Sequence, residues 1–232
     1  MKIFIVKASP SKDGLGSFLM KEVVSTLSNL DVNADIMVYD QATEDPNLKY
    51  NQNTLEKFFH SDSGDQTIFE KNIMESEAII LICPVYFRHV PGEFKITLDS
   101  FSYRSHEFPL IGKKVVLFTY CASNGAKELN EYFQITLSSL GADVVSNQSY
   151  YMSFDILEDK LAKLKENISI MLDQIDKKIY RLTSKQERLF QYYKDIVYDE
   201  LQRGIVTSKQ KRWKELLKYE SLSDYIEKNL LD

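Results

Sequence analysis

One stretch of the chain constrains its fold more than any other: residues 78–101, which read AIILICPVYFRHVPGEFKITLDSF. The stretch begins with a continuous apolar run, which is typical of a strand buried on both faces. It then passes through the aromatic segment PVYF (84–87) into a helical pattern that opens at Pro91, and proline suits the first turn of a helix. A buried strand that leads at once into a helix predicts an α/β protein.

Strand and helix patterns alternate from the amino terminus to about residue 150. The pattern predicts five strands, at residues 2–8, 34–39, 78–83, 114–120 and 143–149. Helices are predicted from near Ser17, over 66–75, from Pro91 and around 129–140. Because such alternating elements pair in parallel through right-handed crossovers, we predict a three-layer α/β sandwich with a five-stranded parallel sheet. The polar segment 40–65 predicts no regular element.

The residues after the fifth strand read as helical. Apolar residues at helical spacing predict one long helix from Leu157 to Ile179. The sequence SKQE (184–187) is a capping-box signature for another helix, which Gly204 ends. Two shorter helices are predicted at 213–217 and 222–230.

We therefore divide the chain into a domain of residues 1–180 and a C-terminal helical extension of residues 181–232. The extension exceeds what the α/β core needs. Its apolar faces are available to cover the parent domain, a second subunit or another partner, and the sequence does not rank these three.

Charge and hydropathy exclude two classes of partner. The formal net charge of −5 argues against nucleic acid, because binding the phosphate backbone needs clustered Lys and Arg. No apolar stretch approaches the roughly 18 residues of a membrane span. The first apolar run, KIFIVK, is too short for a signal peptide, so we expect a cytoplasmic protein.

Cysteine and histidine usage argues against a metal site. The two cysteines, Cys83 and Cys121, fall at the ends of predicted strands, which suits reduced thiols in the cytoplasm. Two thiols cannot supply a four-thiolate cluster. His60 and His106 lie in polar segments without a partner at metal-ligand spacing.

The loop after the first strand has the composition of a phosphate-binding loop. It reads SPSKDGLGS (9–17), with two glycines and with serine hydroxyls, and it enters a helix whose free amides attract anions. Because Lys12 is its only cation, the loop favours a monophosphate over a triphosphate with magnesium. The Walker spacing and a G-x-G-x-x-G run are both absent. The alternative is an ordinary Ser/Gly turn before a helix cap.

The aromatic segment 84–87 lies at the carboxyl end of a predicted parallel strand, where open α/β sheets hold flat ligands. Together with the first loop, it suggests a nucleotide-like cofactor. The segment PVYF, with the following VPGEFK (90–95) and the helix that ends DSF (99–101), resembles the flavin-contact segment of the NAD(P)H-dependent FMN reductase family. The loop ASPSKDG (8–14) is similar to the phosphate-binding segment of that family. The resemblance covers residues 1–151.

The resemblance implies a flavodoxin-like fold, bound FMN and NAD(P)H, and a homodimer. It also implies three sets of cofactor-binding residues. The FMN phosphate would be held by Ser9, Ser11, Gly16 and Ser17. The isoalloxazine ring would be lined by Pro84, Val85, Tyr86 and Phe87. The other side of the ring would be closed by the loop after the fourth strand, with Cys121, Ala122, Ser123 and Gly125.

The chain departs from the family pattern at three places. Ala8 replaces the usual leading glycine of the first loop, and Ser11 stands where arginine is common, a loss that weakens phosphate binding. The iron–sulfur branch of the family carries cysteines after the second strand, whereas residues 40–65 contain none. Iron–sulfur chemistry is therefore not expected.

We accordingly expect an oxidoreductase that passes hydride from NAD(P)H through FMN to a small acceptor, such as a quinone, a free flavin or an activated alkene. Tyr86 is the candidate for shaping the open face of the ring. His89 is either a proton donor or an ordinary surface histidine, and no catalytic residue is assigned. Two alternatives remain: a flavodoxin-type electron carrier, and an interaction protein that kept the fold without the cofactor.

Overall fold

The computed structural model describes residues 1–30, 33–43, 67–205 and 209–231. Most of the irregular segment predicted at 40–65, including His60, lies outside the described residues. The strands are β1 (Lys2–Lys7), β2 (Asp35–Asp40), β3 (Ala78–Pro84), β4 (Lys114–Cys121) and β5 (Asp143–Tyr151). The helices of the α/β part are α1 (Leu15–Asn29), α2 (Ile68–Glu75), α3 (Gly92–Phe101), α4 (Ala126–Ser139) and α5 (Leu157–Asp176). The C-terminal helices are α6 (Ser184–Gln202), α7 (Lys209–Leu216) and α8 (Leu222–Ile226).

The five strands form one parallel sheet in the order β2-β1-β3-β4-β5. Ile5 pairs with Ile80 and Leu81 with Leu117, so the apolar runs lie side by side in the centre. The β4–β5 ladder shifts register once, between Val115 and Val116. This order confirms the predicted five-stranded flavodoxin-like sheet.

Alternate residues of the strands build two cores, one on each face of the sheet. Phe4 and Leu81 face α2, α3 and α4, where Phe94 and Phe133 pack against them. On the opposite face, residues of β1, β3 and β4 pack against α1 and α5. Because helices cover both faces, the inner strands β1, β3 and β4 are almost entirely buried, whereas the outer strands β2 and β5 are only partly buried. The predicted three-layer sandwich is confirmed.

Two helix starts differ from those predicted. Helix α1 begins at Leu15 rather than near Ser17, because Gly14 has a φ of 109° and turns the chain into the helix. The capping box of α6 uses Thr183 and Gln186, so the prediction that placed it on residues 184–187 was one residue too late. The Thr183 hydroxyl accepts from the Gln186 amide, and the Gln186 side chain accepts from the Thr183 amide.

The C-terminal helices pack at the edge of the sheet where the strands begin. Trp213 is fully buried beside Phe108 and Phe190, and its indole NH donates to the carbonyl of His106 at 2.7 Å. Gln186 donates to the carbonyl of Ala142 at 3.0 Å. Of the three roles left open, the structure therefore bears out packing on the parent domain, whereas the division at residue 180 stays a prediction. None of the described helices is long and apolar enough to cross a membrane.

Candidate active site

Three loops meet at the edge of the sheet where the strands end. They follow β1, β3 and β4, and β3 lies between the other two strands. The parallel register brings Lys7 beside Ile82 and Pro84 beside Tyr120, so the three strands end within about two residues of one another. We call this edge the rim. It holds all the residues that the sequence analysis assigned to the cofactor.

Tyr120, at the end of β4, joins the first loop to the aromatic loop. Its hydroxyl lies against the Ser9 side chain and the Gly16 amide. Burial raises the pKa of this phenol to about 12, with a smaller opposing contribution from Ser9. The backbone carbonyl of Tyr120 also accepts from the Val85 amide at 2.9 Å. Sequence analysis placed Tyr120 at the end of the fourth strand and counted it with the loop that closes the ring, but did not connect it with the first loop.

In the first loop, the serine hydroxyls bind loop carbonyls. Ser17 donates to the carbonyl of Lys12 at 2.8 Å, and Ser11 donates to the carbonyl of Asp13 at 2.5 Å. The Ser9 hydroxyl accepts from the Ser11 amide at 3.3 Å. These bonds hold the carbonyls of the loop in place and fix its shape.

The first turn of α1 is open to an anion. Its N-cap residue, Gly14, makes no side-chain capping bond, and the turn carries no acidic residue. The helical ladder begins with the Phe18 amide, which donates to Gly14 at 3.0 Å. Because the earlier amides of a helix have no intrahelical acceptor, they are donors for a phosphate at this end. The residues present therefore fit the phosphate of a mononucleotide.

Lys7, the last residue of β1, lies beneath the first loop with its side chain fully buried. Its ammonium donates to the carbonyls of Ser9 and Ser11 at 3.1 and 2.7 Å and to the Asp40 carboxylate at 2.5 Å. Sequence analysis missed this residue because a lysine at the end of a strand reads as a surface residue. The sequence feature that could have identified Lys7 is its position, immediately before the loop that resembles a phosphate site.

The aromatic loop is a tight hairpin. Tyr86 and His89 exchange two backbone hydrogen bonds of 2.8 and 2.9 Å. Between them, Phe87 and Arg88 have φ values of 49° and 65°, as in a type I′ turn, although neither is glycine. Phe87 is fully exposed and Tyr86 is 46% exposed, so two aromatic side chains face outward at the rim.

The loop after β4 closes against this hairpin. Gly125 has a φ of 92°, and a Cβ atom there would lie 2.7 Å from Val85 Cγ1 and 3.1 Å from Arg88 Cα. A cleft of about 540 Å³ separates the two loops. It is lined by Val85, Phe87, Arg88, Cys121, Ala122, Ser123 and Asn124. A cleft with an aromatic wall and backbone groups suits a flat heteroaromatic ring.

The titratable groups near the cleft show no activated nucleophile. Burial raises the pKa of the Cys121 thiol, and the amides of Ala126 and Asn124 offset only part of this effect. Burial also places the pKa of Cys83 well above its ordinary value. The His89 ring packs against the Tyr132 ring, with 4.4 Å between the ring centroids. Across the part of the chain that the structure describes, no group of three or more His, Cys, Asp or Glu residues could hold a metal ion.

A parallel sheet of this order, with a phosphate-type loop and an aromatic loop on one rim, defines a flavodoxin-like protein. The model of the NADPH-dependent FMN reductase family matches residues 1–156. The chain belongs to this family, as the resemblance of its two loops predicted. No curated protein matches the chain.

Solved structures share the fold at low sequence identity. An NADH:FMN oxidoreductase in its apo form is 17% identical with a TM-score of 0.54, over 73% of this chain and 87% of that one. An NAD(P)H:quinone oxidoreductase from Methanothermobacter marburgensis is 13% identical with a TM-score of 0.53, over 72% and 93%. An azoreductase from Bacillus anthracis str. Sterne is 16% identical with a TM-score of 0.54, over 73% and 98%.

Proposed function

We propose that the protein binds FMN at the rim and passes hydride from NAD(P)H to a small acceptor. One observation carries this proposal: Tyr120 lies against Gly16 of the first turn of α1 through its hydroxyl and binds the aromatic loop through its carbonyl, which accepts from the Val85 amide at 2.9 Å. A single mononucleotide can therefore contact both loops, with its phosphate at α1 and its ring in the cleft. Membership of the FMN reductase family supports the same cofactor.

The phosphate end would be held by the first loop and the first turn of α1. Ser9, Ser11 and Ser17 shape the loop, and Gly16 brings the backbone of the helix close to Tyr120. The amides of the first turn supply donors to the phosphate. Hydrogen bonds to a charged oxygen contribute about 1.5–3 kcal/mol each, which exceeds the roughly 0.3–1 kcal/mol of a helix dipole at an exposed site.

The ring end would lie between the hairpin and the loop after β4. One side of the ring is assigned to Pro84, Val85, Tyr86 and Phe87. The other side is assigned to Cys121, Ala122, Ser123 and Gly125. FMN bound there supplies hydride acceptance and return, and the protein supplies position and orientation. Tyr86 and Phe87 are exposed, which favours a flat, largely apolar acceptor such as a quinone, a flavin or an activated alkene.

The visible spectrum of the purified protein tests the proposal. We expect absorption of bound flavin, either as purified or after FMN is added and the excess is removed. Under anaerobic conditions this absorption bleaches on addition of NADH or NADPH and returns with a quinone. Tight flavin that nicotinamide does not bleach would instead identify an electron carrier. A colourless protein that takes up no FMN would contradict the proposal and favour an interaction protein.

We also propose a homodimer that contacts this edge of the molecule. The turn after β5 pairs with the loop after β4, since Met152 donates to Cys121 and Ser153 to Ala122 at 2.9 and 3.0 Å. Phe154 in that turn is 75% exposed. Such apolar side chains next to the rim suit a subunit interface. Light scattering should give the mass of two chains for the wild type and of one chain for Phe154→Ser, and a monomeric wild type would refute the dimer.

A further inference from the structure

The ammonium group of Lys7 is a charge buried under a loop. Removing a charge from water is costly unless the charge is paired and hydrogen-bonded. Here all three contacts are to oxygen: the carbonyls of Ser9 and Ser11 and the carboxylate of Asp40. Two of the three acceptors belong to the first loop, so the lysine holds that loop as well as satisfying its own charge.

The bond from Lys7 to the Ser11 carbonyl also sets the direction of an amide. In a trans peptide, the carbonyl and the following N–H point in opposite directions. Because the Ser11 carbonyl points to Lys7, the Lys12 amide points away from it, toward the other side of the loop. The serine hydroxyls act on the next two carbonyls, those of Lys12 and Asp13. Three consecutive carbonyls of the loop are thus held by hydrogen bonds, and the one held by Lys7 fixes the direction of the Lys12 amide.

The charge pair of Lys7 and Asp40 is also oriented. The positively charged end of the pair lies near α1. A Cβ atom added at Gly16, in the first turn of that helix, would lie 3.6 Å from Lys7 Cε. The carboxylate lies at the end of β2, where Asp40 also accepts from the Ala42 amide at 3.0 Å. The positive end of the pair therefore faces the loop and the first turn of α1.

We propose that Lys7 is a positioning residue for a phosphomonoester at the first loop. It turns the Lys12 amide to the side of the loop where the anion binds and places a buried positive charge beneath the loop. The inference rests on the proposed function, since FMN is the phosphomonoester in question. It assigns to a buried residue of β1 the cationic role that the loop sequence, with Ser11 and an exposed Lys12, does not fill.

Comparing FMN with riboflavin tests the proposal, because the two ligands share the ring and the ribityl chain and differ in the phosphate. Dissociation constants are measured by quenching of flavin fluorescence for the wild type and for Lys7→Met, which keeps the length of the side chain. We expect FMN to bind at least about tenfold more weakly to the variant. That is the change a unit charge about 10 Å away makes at the effective dielectric constant of a protein surface. Riboflavin affinity should change less than threefold.

Lys114→Met is the matched control. Lys114 is as buried as Lys7 and is also paired, with Asp143 and the carbonyl of Ile179, but it lies at the other end of the sheet. Its loss should lower the melting temperature and leave the ratio of FMN to riboflavin affinity unchanged. A structural role for Lys7 would give the same result in both variants.

Asp40→Asn gives a second test that does not depend on the folding of Lys7→Met. The amide oxygen keeps the bond from Ala42, while the charge of Lys7 loses its counter-ion. We expect FMN to bind about two- to tenfold more tightly and riboflavin to bind as before. Equal losses for the two ligands in Lys7→Met, or no change of FMN affinity in either variant, would overturn the assignment. If the wild type itself fails to bind FMN, the proposed function is refuted together with this inference.

Discussion

The surroundings of Gly16 leave no room for a side chain at this position. A Cβ atom at this position would lie 2.6 Å from the Tyr120 hydroxyl and 3.2 Å from Ser9 Cβ. Either the aromatic ring or the loop would have to move. Because Tyr120 joins the first loop to the aromatic loop, such a movement changes the spacing of the two ends of the proposed cofactor site.

We therefore predict that Gly16→Ala weakens FMN binding about tenfold and destabilises the fold by about 1–3 kcal/mol, the usual cost of overpacking. Titration with FMN and urea denaturation measure the two effects. Gly92→Ala is the control, since Gly92 also lies in the first turn of a helix and a Cβ atom there meets nothing within 4 Å. Equal FMN affinity in the two variants would show that Tyr120 does not set the geometry of the rim.

The two thiols should be poorly reactive in the folded protein. Burial raises the pKa of both Cys83 and Cys121, and a raised pKa leaves less of the reactive thiolate at a given pH. We expect a disulfide reagent such as DTNB to react slowly with the native protein at pH 8 and to release two thiols at once in denaturant. Rapid release of one thiol from the native protein would instead indicate an activated Cys121.

Sequence patterns placed the candidate residues of the two loops on one rim but did not predict their contacts. The glycines, serines and aromatics of the two loops could be selected because their residue types suit phosphate and a flat ring. Lys7 could not, because its burial depends on Asp40, which lies 33 positions further along the chain. The hydroxyl partners of Ser11 and Ser17 are likewise set by the fold of the loop.

At the scale of elements, the hairpin of residues 86–89 stores backbone strain. A left-handed conformation costs about 1–2 kcal/mol for a residue other than glycine, and both Phe87 and Arg88 adopt it. The fully exposed Phe87 ring recovers none of this cost by packing. Strain of this kind persists where a side chain is required by function.

We predict that Phe87→Asn combined with Arg88→Gly stabilises the protein by about 1 kcal/mol, because Asn-Gly is the preferred sequence of a type I′ turn. The exposed ion pair of Arg88 with Glu128 is lost, but such pairs contribute little. Urea denaturation measures the gain. Steady-state kinetics should show a raised KM for a quinone, since one aromatic wall is gone, and an unchanged KM would remove Phe87 from the acceptor site.

Element identities followed from the apolar pattern, whereas several ends did not. The inner strands β1, β3 and β4 were predicted because each is mainly apolar and covered on both faces, and β5 was predicted from its place after a helix although its second half is polar. The start of α1 depends on the conformation of Gly14, and the cap of α6 depends on which of two adjacent hydroxyl residues, Thr183 or Ser184, turns toward the helix. The start of each helix therefore depends on local backbone geometry, which the residue types alone do not determine.

Across the whole molecule, stability of the C-terminal helices depends on one buried indole. Trp213 is fully buried among Phe108, Phe190 and other apolar residues of the C-terminal helices, which form a cluster separate from the two cores of the sheet. We predict that Trp213→Ala costs about 3–5 kcal/mol of stability while the FMN dissociation constant of the folded fraction stays within twofold. Thermal unfolding and flavin titration provide the two measurements.

Tyr192→Ala serves as the matched variant, because Tyr192 is 60% exposed on the neighbouring helix α6 and its loss should cost no more than about 0.5 kcal/mol. A strong loss of FMN affinity in Trp213→Ala would mean that the C-terminal helices reach the rim. Sequence analysis could not decide this point, because an apolar helix face shows that a surface is buried without showing which surface buries it.

The rim and the C-terminal helices lie at opposite ends of the same strands, and this separation has an electrostatic consequence. Strand β4 alone has eight residues, which span about 26 Å at about 3.3 Å per residue. The Debye length in physiological salt is about 8 Å. Surface charges on the far helices are therefore screened from the rim, so the reduction potential of a flavin held there is independent of how acidic or basic the tail becomes.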